Sequence, residues 1–162
     1  MTTPTTVHHP PVRPPWLITA EAEIGIKEIP GPSDHPRILE YHQFTSYQAE
    51  SDEVSWCSSF VNWSLAMSMG ISSHKEWSLD IPGTGKANAR SWMDWGREMA
   101  IPAHGAITVL WSGSKKNDWR GHVGFLVGID RFNVWLLGGN QSNSVMVSPY
   151  SVERVLGFRW RE

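Results

Sequence analysis

The chain has 162 residues, 40% of them apolar and 19% charged, the composition of a globular domain with a real core. A formal net charge of -2 with no basic run argues against nucleic acid or an anionic surface as the main partner, because phosphate binding needs clustered lysine and arginine. A single cysteine, Cys57, excludes an intramolecular disulfide and a cysteine-rich zinc site.

The first segment, "MTTPTTVHHPPVRPP", holds five prolines and no periodic pattern. It is expected to be a flexible arm over 1–15, leaving a single domain over 16–162. It lacks the apolar centre of a secretory signal, and no run approaches the roughly 18 apolar residues that span a bilayer. Synthesis in the cytoplasm is expected, with some other means of delivery if the target lies outside.

"WLITAEAEIG" (16–25) sets Trp16, Leu17, Ala20 and Ile24 on one helical face and stops at Gly25. "HPRILEYHQF" (35–44) predicts a short helix with Asp34 as its cap. In "DEVSWCSSFVNWSL" (52–65), Ser51, Asp52 and Ser55 are capping residue types. Cys57 falls at the head of this helix, Phe60, Val61, Ser64, Leu65 and Met69 continue its stripe, and Trp56, Trp63 and Met67 form a second one. A helix apolar on two faces is central and buried, and Gly70 ends it. Residues 71–86 are irregular, and "KANARSWMDWG" (86–96) predicts a helix with Ala89, Trp92, Met93 and Gly96 inward.

After Pro102 the pattern changes to strands: 106–111, 122–129, 133–138, 144–148 and 155–160, short, β-branched or aromatic, and separated by turn residues. Their connections are too short for parallel crossovers. The fold class is α+β, with N-terminal helices on an antiparallel sheet of five to six strands.

A thiol in the first turn of a helix faces unpaired N–H groups that favour the thiolate. Of the seven histidines, only His122 opens an apolar strand, in "RGHVGFLVG", between glycines that let a substrate backbone approach. An imidazole acting as a base needs an orienting partner on its other nitrogen. A hairpin loop over 130–132 sets Asn140 opposite His122, and a loop centred half a residue later sets Gln141 there; Asn140 is the first choice. Gln141 is also a candidate oxyanion donor. Glu53, beside Asp52, is a candidate for binding an amine of a peptide. Of the ten tryptophans, Trp77, Trp111 and Trp119 sit in polar or glycine-rich surroundings where an indole could line a groove. No metal-ligand spacing and no phosphate loop is present, so no metal or cofactor is expected.

"WCSSFVNW", "GTGKANARSWMDWG", "GHVGFLVG", "LLGGNQSN" and "VLGFRW" stand in the same order as in a phage and bacterial branch of the NlpC/P60 and CHAP superfamily, which the chain resembles over about residues 16 to 161. These are papain-like peptidoglycan hydrolases. The resemblance implies a papain-like fold with a Cys–His–polar triad: Cys57 as nucleophile, His122 as base, and Asn140 third, where the wider pattern often has a second histidine. Arg90 and Trp92, in ARSW, also resemble family positions, and Trp92 is a substrate-binding candidate. The activity implied is cleavage of a peptidoglycan amide bond, as amidase or endopeptidase, by a phage endolysin or a secreted antibacterial toxin. The partner is then peptidoglycan, with an immunity protein or a secretion-apparatus component for a toxin. The site of action is the cell wall, in the periplasm, after release or injection, and a monomer is expected. The alternatives are a non-catalytic wall-binding module of the same fold and a papain-like acyltransferase or deamidase acting on protein. The first predicts a replaced cysteine or histidine, and neither is replaced.

Overall fold

The computed structural model describes residues 12–114 and 116–162. The expected flexible arm lies outside the described residues over 1–11. Its last residues do not belong to an arm: Pro14 is buried, and Pro15 opens helix α1 (Pro15–Glu21), whose Trp16, Leu17 and Ala20 enter the core. Proline suits that place because its missing N–H would be unpaired in a first turn anyway. Ile24 does not join this face. The helix ends at Glu21, the chain turns at Gly25 (φ +102°), and Ile24 is left exposed.

Helix α2 (Pro36–His42) is capped by His35, whose Nδ1 accepts from Arg37 N at 3.1 Å, and not by Asp34. The Asp34 carboxylate accepts from Asp52 N at 2.9 Å instead. Helix α3 (Cys57–Ser68) is the mount expected from its two stripes, with every residue from Cys57 to Ala66 buried. Gly70, at φ +77°, ends it. A one-turn helix α4 (His74–Trp77) interrupts the irregular segment, and 89–94 is a 3-10 helix (Ala89–Asp94) with Ala89 and Trp92 buried.

The strands are β1 (Arg97–Glu98), β2 (Ile107–Trp111), β3 (Gly121–Ile129), β4 (Asn133–Gln141), β5 (Ser144–Ser151) and β6 (Val155–Trp160). Among the described residues they form one six-stranded antiparallel sheet in the order β1-β6-β2-β3-β4-β5. The expected α+β architecture therefore holds, with β1 added at the edge. Val109, Val123, Phe125 and Leu137 pack against Phe60, Val61 and Trp16 from the helices. Leu110, Leu126, Val134 and Leu136 form a separate cluster closed by Phe158 and Val155. No described helix is long and apolar enough to cross a membrane.

Candidate active site

The head of α3 is fastened by the two serines after Cys57. Ser58, fully buried, donates to Lys86 O at 2.6 Å and accepts from Trp92 Nε1 at 2.9 Å. The Ser59 hydroxyl lies 3.0 Å from Nδ1 of buried His42, whose Nε2 lies 3.1 Å from Ser51 O. A carbonyl can only accept, so Nε2 carries the proton and Nδ1 accepts from Ser59. That neutral ring agrees with burial, which pulls His42 below its ordinary value.

The expected caps are not used. Trp56 is the N-cap and offers no side-chain acceptor. Ser51 and Asp52 are occupied elsewhere: Asp52 is buried, and its Oδ2 accepts from Ile29 N at 3.0 Å and His35 N at 2.9 Å, tying the 29–35 loop to the approach of Cys57. The N–H groups of Cys57, Ser58 and Ser59 consequently meet no acceptor among the described residues. Such unpaired donors make the head of a helix a favourable place for negative charge.

Cys57 is the first residue of α3 and meets His122 at the start of β3. Burial pushes the Cys57 thiol up. The hydrogen bond and charge of His122, the backbone N–H of Val123 and the Ser55 hydroxyl act against burial and prevail, leaving the thiol below its ordinary value. Burial pulls His122 down; its contacts with Cys57 and Gln141 prevail over burial and over the nearby charge of Arg154, and the imidazole lies above its ordinary value.

Gln141 and not Asn140 reaches the imidazole. Beside the turn the β3–β4 register is that of a loop centred half a residue later, with Ile129 opposite Val134; an extra residue in β3 between Leu126 and Gly128 then sets Phe125 opposite Leu137, the pairing a 130–132 loop requires. Strand β4 then bulges: Gly138 pairs with Met146 but Gln141 with Ser144, and Asn140 takes φ +55°. The extra residue turns Asn140 toward Ser55 Oγ, 3.4 Å from its Nδ2, and swings Gln141 inward. Gln141 Oε1 lies 2.9 Å from His122 Nε2, and its Nε2 donates to Leu136 O at 3.1 Å and Met146 O at 2.6 Å. The "GG" before Asn140 serves these contacts and not a turn. A Cβ on Gly138 would fall 2.7 Å from Gln141 Oε1, and one on Gly139 would fall 2.6 Å from Trp56 Cζ3.

The two carbonyls also fix the proton on the imidazole. They can only accept, so the Gln141 amide nitrogen must face them and its oxygen must face His122. His122 Nε2 therefore carries a hydrogen, and Nδ1 is the basic nitrogen available to Cys57. With both amide hydrogens directed at carbonyls, Gln141 is not an oxyanion donor, which corrects that expectation.

A cleft of about 290 Å³ opens beside Cys57, lined among others by Ser55, Asn88, Ser112, Trp119, Arg120 and Gly121. Trp119 is 78% exposed and forms one wall of it. The other candidates lie elsewhere. Trp92 is fully buried under Ser58, and Trp77 is buried against Phe44. Trp111 donates from Nε1 to Glu153 O at 3.2 Å and is not part of the cleft wall. Glu53 is exposed, its N–H donates to Ser51 Oγ, and it does not line the cleft. Arg90 is a brace: its Nε donates to Arg120 O and its Nη2 to Lys116 O, both at 2.8 Å, holding the loop that carries Trp119 and Arg120.

Sequence reasoning missed Ser55 as a neighbour of the thiol and missed Tyr150, whose hydroxyl is 3.3 Å from His122 Nε2. Ser55, two residues before Cys57, was open to discovery as more than a cap. Tyr150 sits in an outer strand with no local signal. Among the described residues no cluster of histidine, cysteine and carboxylates could hold a metal ion.

No curated protein matches the chain, and no solved structure does. The CHAP domain family matches residues 49–140, a span that holds Cys57, His122 and the glycine-rich end of β4 and stops one residue short of Gln141. That span is more than half of the chain, and with the cysteine helix packed on an antiparallel sheet it makes this protein a member of the CHAP domain family, within the NlpC/P60 and CHAP superfamily.

Proposed function

We propose that the protein hydrolyses an amide bond of peptidoglycan with Cys57 as nucleophile, His122 as base and acid, and Gln141 as the group that orients His122. CHAP domains are typically cysteine- and histidine-dependent amidases or peptidases, which points to peptidoglycan amide hydrolysis in general terms. The observation that carries the finer reading is the thiol held below its ordinary value by an imidazole whose tautomer is fixed from behind, at the edge of an open cleft.

His122 Nδ1 takes the Cys57 proton, and the thiolate attacks the amide carbonyl carbon. The carbonyl π electrons move to oxygen, which the N–H of Cys57 and the Ser55 hydroxyl stabilise. The intermediate collapses, the C–N bond breaks, and His122 Nδ1–H protonates the departing amine. Water then attacks the thioester, giving its proton to Nδ1, and the thiolate leaves. Whenever the ring is protonated on both nitrogens, its positive charge is shared through Nε2–H with Gln141 Oε1.

The exposed indole of Trp119 offers a flat apolar face beside Cys57, suited to a sugar or a stem side chain. The wall lies outside the cytoplasm, and release in lysis or injection are two routes that bring a protein to it. Digestion of purified peptidoglycan followed by mass spectrometry of the muropeptides tests the reading. New fragments whose masses differ by one water across an amide bond are expected, with none from the Cys57→Ala protein. An unchanged muropeptide profile with the wild-type protein overturns it.

A further inference from the structure

Arg154 closes the turn that leads into β6, and its guanidinium is held from two sides. Its Cζ stands 5.7 Å from the Trp111 ring centre and 5.5 Å from that of Tyr150, and its Nε donates to Trp111 O at 3.1 Å. Tyr150 in turn lies against the His122 imidazole, the ring centres 5.2 Å apart. The guanidinium is thus one aromatic ring away from the histidine. Among the described residues its terminal nitrogens meet no acceptor, and no carboxylate is within ion-pair distance of it. The contrast is Arg120, at the cleft wall, which is bound by Asp118 at 2.6 Å.

Left alone, this arrangement works against the site. The charge of Arg154 lowers the proton affinity of His122, which must become an imidazolium during the reaction. A ligand carboxylate on the two free nitrogens cancels that field. It also fits the planar fork, which Trp111, Tyr150 and the Nε bond have already ordered, so little side-chain freedom is lost on binding. The anchor stands beyond His122, across the Tyr150 ring, and the cleft beside Cys57 is lined by neither Tyr150 nor Arg154.

We propose that Arg154, stacked between Trp111 and Tyr150, binds a carboxylate of the substrate on the leaving-amine side of Cys57. The preferred substrate is then an amide whose departing peptide carries a free carboxylate close to the scissile nitrogen. The choice of peptide probes rests on the reading of the site as a peptidoglycan amidohydrolase.

The test separates binding from turnover. A stem tripeptide of alanine, isoglutamate and a diamino acid, and the same peptide with its carboxylates converted to carboxamides, are titrated calorimetrically into the Cys57→Ala protein. The acid form is expected to bind ~10- to 100-fold more tightly, the range of a charge-assisted bidentate contact. Arg154→Met in the same background should bring that ratio close to one, and Arg154→Lys, which keeps a charge but loses the fork, should lower it at least several-fold. The lysine variant decides the matter if the methionine variant does not fold. Equal affinity for acid and amide, binding of neither, or a ratio undiminished in Arg154→Lys overturns the proposal. Wild-type action on purified peptidoglycan is scored separately: binding preference with an unchanged muropeptide profile defeats the hydrolase reading and leaves the carboxylate site standing.

Discussion

Every polar atom of the Gln141 side chain is committed inside the protein, its oxygen to His122 and its nitrogen to two main-chain carbonyls. A carboxylate there would face those carbonyls with a lone pair in place of two donors. Gln141→Glu is therefore expected to destabilise the fold by ~1–3 kcal/mol, the cost of buried polar groups left unpaired, read from a denaturant midpoint. Gln141→Ala should keep the protein folded and lower kcat by about tenfold to a hundredfold, the scale of losing a group that orients a functional side chain. Asn140→Ala should change kcat far less, because Asn140 meets only Ser55. A larger loss in Asn140→Ala than in Gln141→Ala would remove Gln141 from the mechanism. Reactivity with pH follows from the shifts at Cys57 and His122. The thiol is lowered and the imidazole raised, so a thiolate beside an imidazolium exists at pH values where a free thiol, with a pKa of about 8.5, is protonated. Alkylation of Cys57 by iodoacetamide should remain fast below that pH. In His122→Ala the lowering influence is gone and burial acts unopposed by the ring, so the midpoint of alkylation should move upward.

At the scale of elements, the site depends on three pieces of backbone: the head of α3, the bulge at the end of β4, and the loop over 116–120. The bulge needs Gly139, where a Cβ would fall 2.6 Å from Trp56 Cζ3 and 2.8 Å from Phe60 Cβ. Gly139→Ala is expected to cost about 1–3 kcal/mol through overpacking and to lower activity by displacing Gln141, measured by thermal melting and kcat together. The loop is tied to the 3-10 helix by Arg90. Arg90→Ala should raise KM more than it lowers kcat, since it loosens Trp119 and Arg120 and leaves Cys57 and His122 untouched. Much of this was legible in the sequence. The two apolar stripes announced a buried α3, and the β-branched runs announced five of the six strands, because burial writes itself into periodicity. Neither irregularity of the β3–β4 hairpin was legible, the one after Leu126 in β3 nor the bulge at the end of β4, because one extra residue in an antiparallel ladder leaves no periodic trace in strands already interrupted by glycines. The extra residue in β4 is why a straight count from a 130–132 loop favours Asn140 over Gln141. Asp52 and Ser51 look like caps because local sequence cannot reveal that the 29–35 loop claims the Asp52 carboxylate and that the Ser51 hydroxyl accepts from Glu53 N.

Across the whole molecule, two clusters hold the sheet, one beneath the helices and a smaller one around Leu110, Leu126 and Leu136. Leu136 contributes its side chain to the smaller cluster and its carbonyl to Gln141. Leu136→Ala should destabilise by about 2–5 kcal/mol, as for other large-to-small core changes, while kcat at temperatures where the protein stays folded remains near that of the wild type. The same logic sets where this sequence is free to drift. The groups that choose which imidazole nitrogen bears the proton are carbonyls at 136 and 146, and every amino acid supplies a carbonyl. Leu136 and Met146 can be exchanged for any residue the packing tolerates without touching the proton. The information that specifies the tautomer is thereby concentrated in Gln141 and in the bulge geometry that Gly139 permits. In a lineage of such chains the hairpin should vary around these two positions and not at them.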